Sequence, residues 1–230
     1  GGMGKTTLAQ KIYNDHKIKG NFSKQVWICV SQVYPKASLL KELLRNLGID
    51  YVQDEDVGEL SRKLAKGLEN NSFFLVLDGV WEHEVWSNLI RIPIDTATTS
   101  VVLVTTRNDV VARKIGVDEV HRVDLMSDDV GWELLCKSMD NHEEIQIENL
   151  RDIGMDIVRM CGGLPLAVKV IARVLAAKDK TEKQWRKVKN ESAWSMTNLP
   201  AELRGALYLS YDDLPRYLKQ CFLYCAFFPE

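Results

Sequence analysis

The chain opens Gly1-Gly-Met-Gly-Lys-Thr-Thr7, and Leu8 to Asp15 behind it reads as a helix. Few stretches restrict a fold so tightly. Glycines free to adopt left-handed backbone let several N–H groups curl around one point. The positive end of the following helix faces the same point, so the two together form a cradle for phosphate. Gly4, Lys5 and Thr6 match the close of the phosphate-binding pattern G-x-x-x-x-G-K-[ST]. In that pattern Gly2 and Gly4 would bring backbone against the phosphates and Lys5 would reach the β- and γ-phosphates. The Thr6 hydroxyl would ligate Mg²⁺, and Thr7 would add a contact to the α-phosphate. The competing reading is a glycine-rich turn ahead of an amphipathic helix. The first glycine of the pattern, and the buried strand that leads into it, would both precede Gly1. The chain is therefore expected to be a piece cut inside its own site. A piece lacking a central strand is expected to aggregate or to bind nucleotide poorly.

With 230 residues, 46% hydrophobic and 27% charged, the chain suits one large globular domain or a domain and a half. A net charge of -2 offers no electrostatic case for nucleic acid or an anionic membrane as main partner. The apolar runs Val26 to Val30, Phe73 to Leu77 and Val101 to Val104 are strand-length and too short to span a bilayer. Cys29, Cys136, Cys161, Cys221 and Cys225 are odd in number and contain no C-x-x-C pair, which predicts reduced, mostly buried thiols in the cytosol. Cys221 and Cys225 share a helical spacing, but two further ligands nearby are lacking for zinc.

Along the chain, Gln25 to Val30 reads as a buried strand, broken by Ser31 and Pro35. Ser38 is expected to cap a helix carrying Leu39, Leu40, Leu43, Leu44 and Leu47, ended by Gly48. Asp50 to Asp56 reads as a loop, and Leu60, Leu64 and Leu68 mark one face of another helix. Phe73 to Leu77 is the second buried strand and delivers Asp78 at its end. Val101 to Thr105 is the third and delivers Thr106 and Arg107. Strands alternating with helices, each followed by polar residues, predict an α/β fold with a mostly parallel sheet and a site along its carboxyl edge. Near Val123 the pattern changes. From Ser127 onward only helical periodicity remains, in Trp132, Leu135 and Met139, then Leu150, Ile153, Ile157 and Met160, then Leu166 to Ala177. The boundary is expected at Asp124 to Asp129. Lys178 to Lys189 reads as a solvated helix face rather than a nucleic-acid patch, because Glu182 stands four before Arg186. Pro200, Tyr211 and Pro215 are expected to punctuate short helices that run up to the apolar stretch Cys221 to Pro229.

Asp78, past an apolar strand and downstream of a phosphate loop, is placed to hold Mg²⁺ through water, since a hard cation needs oxygen ligands. The alternative is a strand-terminating turn with Gly79. Arg107 follows a strand as well, and its guanidinium there would touch the γ-phosphate; alone, such an arginine is a surface residue. His16, His83, His121 and His142 are scattered, and His83-Glu84 lacks the second histidine of H-E-x-x-H, so no hydrolase site emerges.

Several stretches together resemble the NB-ARC nucleotide-binding domain of plant disease-resistance proteins of the leucine-rich-repeat class. Gly1 to Leu8 is similar to its phosphate loop, and Phe22 to Val30 to the segment after its first helix. Phe74-Leu-Val-Leu-Asp-Gly-Val-Trp81 is similar to its Mg²⁺ strand, with Trp81 as in the coiled-coil rather than the TIR branch. Val104-Thr-Thr-Arg107 resembles its sensor, Cys161-Gly-Gly-Leu-Pro-Leu-Ala167 its Gly-Leu-Pro-Leu motif, and Cys221 to Pro229 its late hydrophobic motif. The resemblance implies a P-loop NTPase subdomain at 1–125, a helical subdomain at 126–195 and the start of a winged-helix subdomain at 196–230. It implies a cytoplasmic switch, closed with ADP, opened by exchange for ATP, and signalling defence as a homo-oligomer. Its partners would be its own coiled-coil and leucine-rich-repeat regions outside this segment. Pro165 would pack on or near the adenine; the plain reading is a proline at a first helical turn. The family commonly has a second acidic residue where this chain has Gly79, so at most slow ATP hydrolysis is expected. A P-loop kinase or ATPase acting as a true enzyme is the alternative, and a scaffold with a dead nucleotide site is a third reading.

Overall fold

The structure, a computed structural model, describes residues 2–30, 35–116, 119–139, 149–191, 194, 201–225 and 227–228. Gly1, Ser31, His142, Pro200 and Pro229, named above, lie outside them. Two compact units are present, one of residues 5–122 and one of residues 2–4 and 123–230.

The first unit is built on a parallel sheet of strands β1 (Lys24–Cys29), β2 (Ser72–Val80) and β3 (Thr99–Thr106), with β2 in the middle. Strand β2 reads Phe-Phe-Leu-Val-Leu because both of its faces are covered, which parallel sheets require. Phe73, Leu75 and Leu77, with Val26 and Ile28 of β1, face one core. That core is closed by α3 (Lys36–Leu47) and α4 (Val57–Leu68), whose leucines recur at helical spacing. A six-residue π-helical turn, Val85–Ile90, then the short α5 (Arg91–Ile94) and α6 (Asp109–Ile115) complete the cover. Phe74 and Val76 face the opposite way, against α1 (Lys5–Asn14) and α2 (His16–Asn21). There the Tyr13 ring meets Trp27 edge-on at 5.6 Å, and Phe22 lies 5.4 Å from Phe74.

Three expectations are corrected here. Helix α3 begins at Lys36 behind Pro35, whose extended backbone makes the entry, so Ser38 lies inside the helix and is not its cap. The C-terminal end is as expected, with Gly48 left-handed at φ 69°. Strand β2 does not stop before Asp78 but runs on to Val80 through an irregularity: Leu77 pairs with Val104 and Val80 with Thr106, three steps on β2 against two on β3. The extra residue returns Val80 to the same core as Leu77. Finally, β3 is not a buried strand. It pairs with β2 alone among the described strands, its first three residues are exposed, and only Thr105 is buried.

Among the described residues the second unit is helical wherever it is regular: α7 (Asp128–Ser138), α8 (Arg151–Met160), α9 (Pro165–Ala176), α10 (Glu182–Lys189), α11 (Ala201–Asp212) and α12 (Arg216–Cys225). Helix α9 buries Ala167, Val168, Ile171, Ala172, Val174 and Leu175 and forms the middle of the core, against Trp132, Leu135, Ile157 and Trp185. The lysine-rich stretch contributes more than a solvated face, because Trp185 within it is fully buried. Three of its cations are paired, Arg186 with Glu182, Lys178 with Asp213 at 2.7 Å and Lys189 with Asp156 at 2.7 Å. The bond from Lys189, with Arg159 adding its charge, holds the Asp156 carboxyl below its ordinary range. Tyr211 does not punctuate a helix; it lies inside α11, and the break comes at residues 213–215.

None of the five cysteines is in a disulfide, but the expectation that most are buried does not hold. Cys161 is buried, and burial pushes its thiol up to about 12. Cys29 ends the edge strand β1, while Cys221 and Cys225 ride on α12, which buries none of its side chains; all three are exposed. Among the described residues no helix is long and apolar enough to cross a membrane.

Candidate functional site

Glycine sets the geometry at the start of the chain. Gly2 and Gly4 both take positive φ, 78° and 90°, where a side chain is strained, and Lys5 directly opens α1. Lys5 is half-buried, and Thr6 and Thr7 in the same first turn are exposed. Residues 2–4 group with the second unit, where the Leu166 N–H donates to the Gly2 carbonyl at 3.2 Å. Pro165 is the first residue of α9, a position that needs no N–H, and the bond from Leu166 satisfies one of the open donors of that helix.

The structure brings Thr6 and Asp78 together across 72 positions of sequence. The Thr6 hydroxyl lies 3.0 Å from both carboxylate oxygens of Asp78. Asp78 stands in the irregularity of β2, at the carboxyl edge of the sheet. Gly79 behind it has φ 80°, which an ordinary strand residue does not adopt, so the glycine makes a bulge rather than the turn that would end the strand. The Gly79 N–H donates to Thr105 Oγ1 at 2.9 Å, and the same hydroxyl donates to Asp78 Oδ1 at 2.5 Å. Thr105 is thus a candidate for the site that reading the chain as strings of apolar residues overlooks. Its signal in the sequence is a hydroxyl at the end of an otherwise apolar strand, one step before Thr106 and Arg107.

One hydroxyl and one carboxylate, both hard oxygen donors held within hydrogen-bond reach of each other, are a donor set that fits Mg²⁺. The carboxylate is anchored on one oxygen by Thr105, which orients it toward Thr6 without neutralising it. Arg107 lies elsewhere on the same edge. Its guanidinium carbon sits over the Trp81 ring, 5.5 Å from the centroid. Beside it opens a cavity of about 630 Å³ lined by Val30, Gly79, Trp81, Thr106, Arg107 and Asp109, among others.

Residues 1–144 match the NB-ARC domain family. Across its whole length the chain is 35% identical to the putative disease resistance protein RGA1 of Solanum bulbocastanum, covering 24% of that protein. It is 34% identical to the disease resistance RPP13-like protein 4 of Arabidopsis thaliana, covering 28% of it. It is also 35% identical to the disease resistance protein RGA2 of Solanum bulbocastanum, covering 24%. The chain spans about a quarter of the length of these curated relatives. The family match takes in well over half of the chain, from the phosphate loop through all three strands and α7, and the chain belongs to the NB-ARC domain family.

Proposed function

We propose that this chain is the nucleotide-binding part of a plant disease-resistance receptor, a cytoplasmic switch held closed by ADP and opened by ATP to act as a homo-oligomer. The observation that carries the reading is the Thr6–Asp78 pair, a phosphate-loop hydroxyl hydrogen-bonded to a strand-end carboxylate. Gly2 and Gly4 bring backbone to the phosphates, Lys5 neutralises the β- and γ-phosphates, and Thr7 reaches the α-phosphate. Thr6 and Asp78 would hold Mg²⁺, and the ion would supply charge neutralisation at the phosphates. Arg107 touches the γ-phosphate, and Pro165 packs at the adenine. We assign residues 1–125 to the P-loop subdomain, 126–195 to a helical subdomain and 196–230 to the start of a winged-helix subdomain. Coiled-coil and leucine-rich-repeat regions of the same protein are the partners.

The test is calorimetry of the intact protein with ADP and with ATP. Wild type takes up both, and Lys5→Ala lowers affinity for each by a factor of roughly 30 or more, the cost of stripping a charge from a buried phosphate contact. No uptake of either nucleotide by wild type overturns the reading.

ATP turnover on this site is slow. The bulge gives position 79 a left-handed backbone and no carboxylate, so no side chain there activates the attacking water. Gly79→Asp is expected to raise the single-turnover ATPase rate of the intact protein while costing about 1 kcal/mol of stability for the positive φ. Space is available, the nearest atom to a new Cβ being the Val30 carbonyl oxygen at 3.7 Å. Equal single-turnover rates would reject the assignment.

A further inference from the structure

The cavity at the carboxyl edge has an aromatic wall to which phosphate binding alone gives no task. Trp81 follows the buried Val80 at the end of β2 and is 42% exposed, a large apolar surface to leave in water. Arg107, delivered by the neighbouring strand β3, places its guanidinium carbon over that ring, and both side chains line the cavity. Asp109, also in the lining, is engaged with Arg122 at 2.7 Å. A guanidinium within about 6 Å of an aromatic centroid is attracted to the ring face without spending its N–H donors, which stay open to an anion. An arginine on a loop otherwise surrenders its rotamer freedom when it meets a phosphate, and a seat on a ring removes part of that cost beforehand.

We propose that Trp81 is a positioning residue for Arg107, holding the guanidinium ready so that a nucleoside triphosphate is favoured over a diphosphate. This rests on the reading of Arg107 as the γ-phosphate contact. The experiment is calorimetry of the intact protein, in Mg²⁺, with ADP and with the β,γ-imido analogue of ATP. The variants are Trp81→Leu, Trp81→Phe, Arg107→Ala and the double Trp81→Leu/Arg107→Ala. Trp81→Leu is expected to weaken the triphosphate analogue roughly two- to fivefold and to leave ADP unchanged. Unchanged ADP affinity also shows that the variant is folded. Trp81→Phe restores most of the loss, and the double variant is no worse than Arg107→Ala alone, because the two residues act through one contact. Equal losses for both nucleotides, identical behaviour of Leu and Phe, or effects that multiply in the double variant overturn the role of Trp81 while leaving Arg107 in place. If Arg107→Ala itself does not weaken the analogue, the γ-phosphate assignment falls, and the role of Trp81 with it.

Discussion

Asp78→Asn is expected to remove the part of nucleotide affinity that depends on Mg²⁺, a loss of roughly 10- to 100-fold in the presence of the ion. In excess chelator its affinity should equal that of wild type. Asparagine keeps the shape of the side chain and loses its charge, so the effect isolates electrostatics from packing. The local network tolerates the swap. Thr105 donates to one oxygen of Asp78, and an amide oxygen in that place accepts the same bond. Thr6, which faces both oxygens, then meets an amide –NH₂, to which its hydroxyl acts as acceptor. The variant therefore folds, and what it lacks is an anionic partner for a hard cation. Titrations of ADP with and without Mg²⁺ check this. An equal loss in both conditions would mean that Asp78 only shapes the phosphate loop.

The largest effect on stability belongs to the second unit. Trp185→Ala is expected to cost about 3–5 kcal/mol, the range for truncating a buried aromatic, and to lower the Tm of the 230-residue chain by roughly 6–20 °C. The side chain is fully buried in a core centred on α9, whose other members are buried in places of their own and would have to leave them to fill the gap. Its indole N–H has no partner among the described residues. Trp185→Phe, which drops that unpaired donor and keeps most of the ring, should therefore cost much less than the alanine change. Thermal unfolding followed by near-ultraviolet dichroism separates the two variants. A Phe variant as unstable as the Ala variant would show that the volume of the indole, and not burial of an aromatic surface, holds the core.

Most of the first unit was legible in the chain because its signals are local. Five leucines at helical spacing ended by a glycine can only pack as α3 does, and a run such as Phe73 to Leu77 has to be covered on both faces. Thr6 and Asp78 are each legible as candidate oxygen ligands, one from the phosphate-binding pattern and one from its place after an apolar strand, and the structure brings the two side chains within hydrogen-bond distance. Features that arise from the neighbourhood in space were not legible. Gly79 reads as a turn until β3 is seen to pair on both sides of it, and the bond between Thr105 and Asp78 depends on a register no sequence window contains. Lysines at 178–189 hid Trp185, because charge density on one side of a helix masks what the other side buries. The cysteines were misjudged for a related reason: thiols usually follow the core, but α12 presents Tyr217, Phe222, Tyr224 and both of its cysteines to the exterior.

The bulge at Asp78 and Gly79 also sorts the residues that follow it. Side chains of β2 alternate between the two cores up to Leu77, and the extra residue inverts the parity of Val80, the last residue of the strand. Val80 is thereby an even-numbered residue seated with the odd-numbered ones, and Trp81 falls on the outer side rather than within. The ring beside Arg107 is thus an outcome of a single inserted position, and removing that position would carry Val80 and Trp81 to the opposite sides of the sheet.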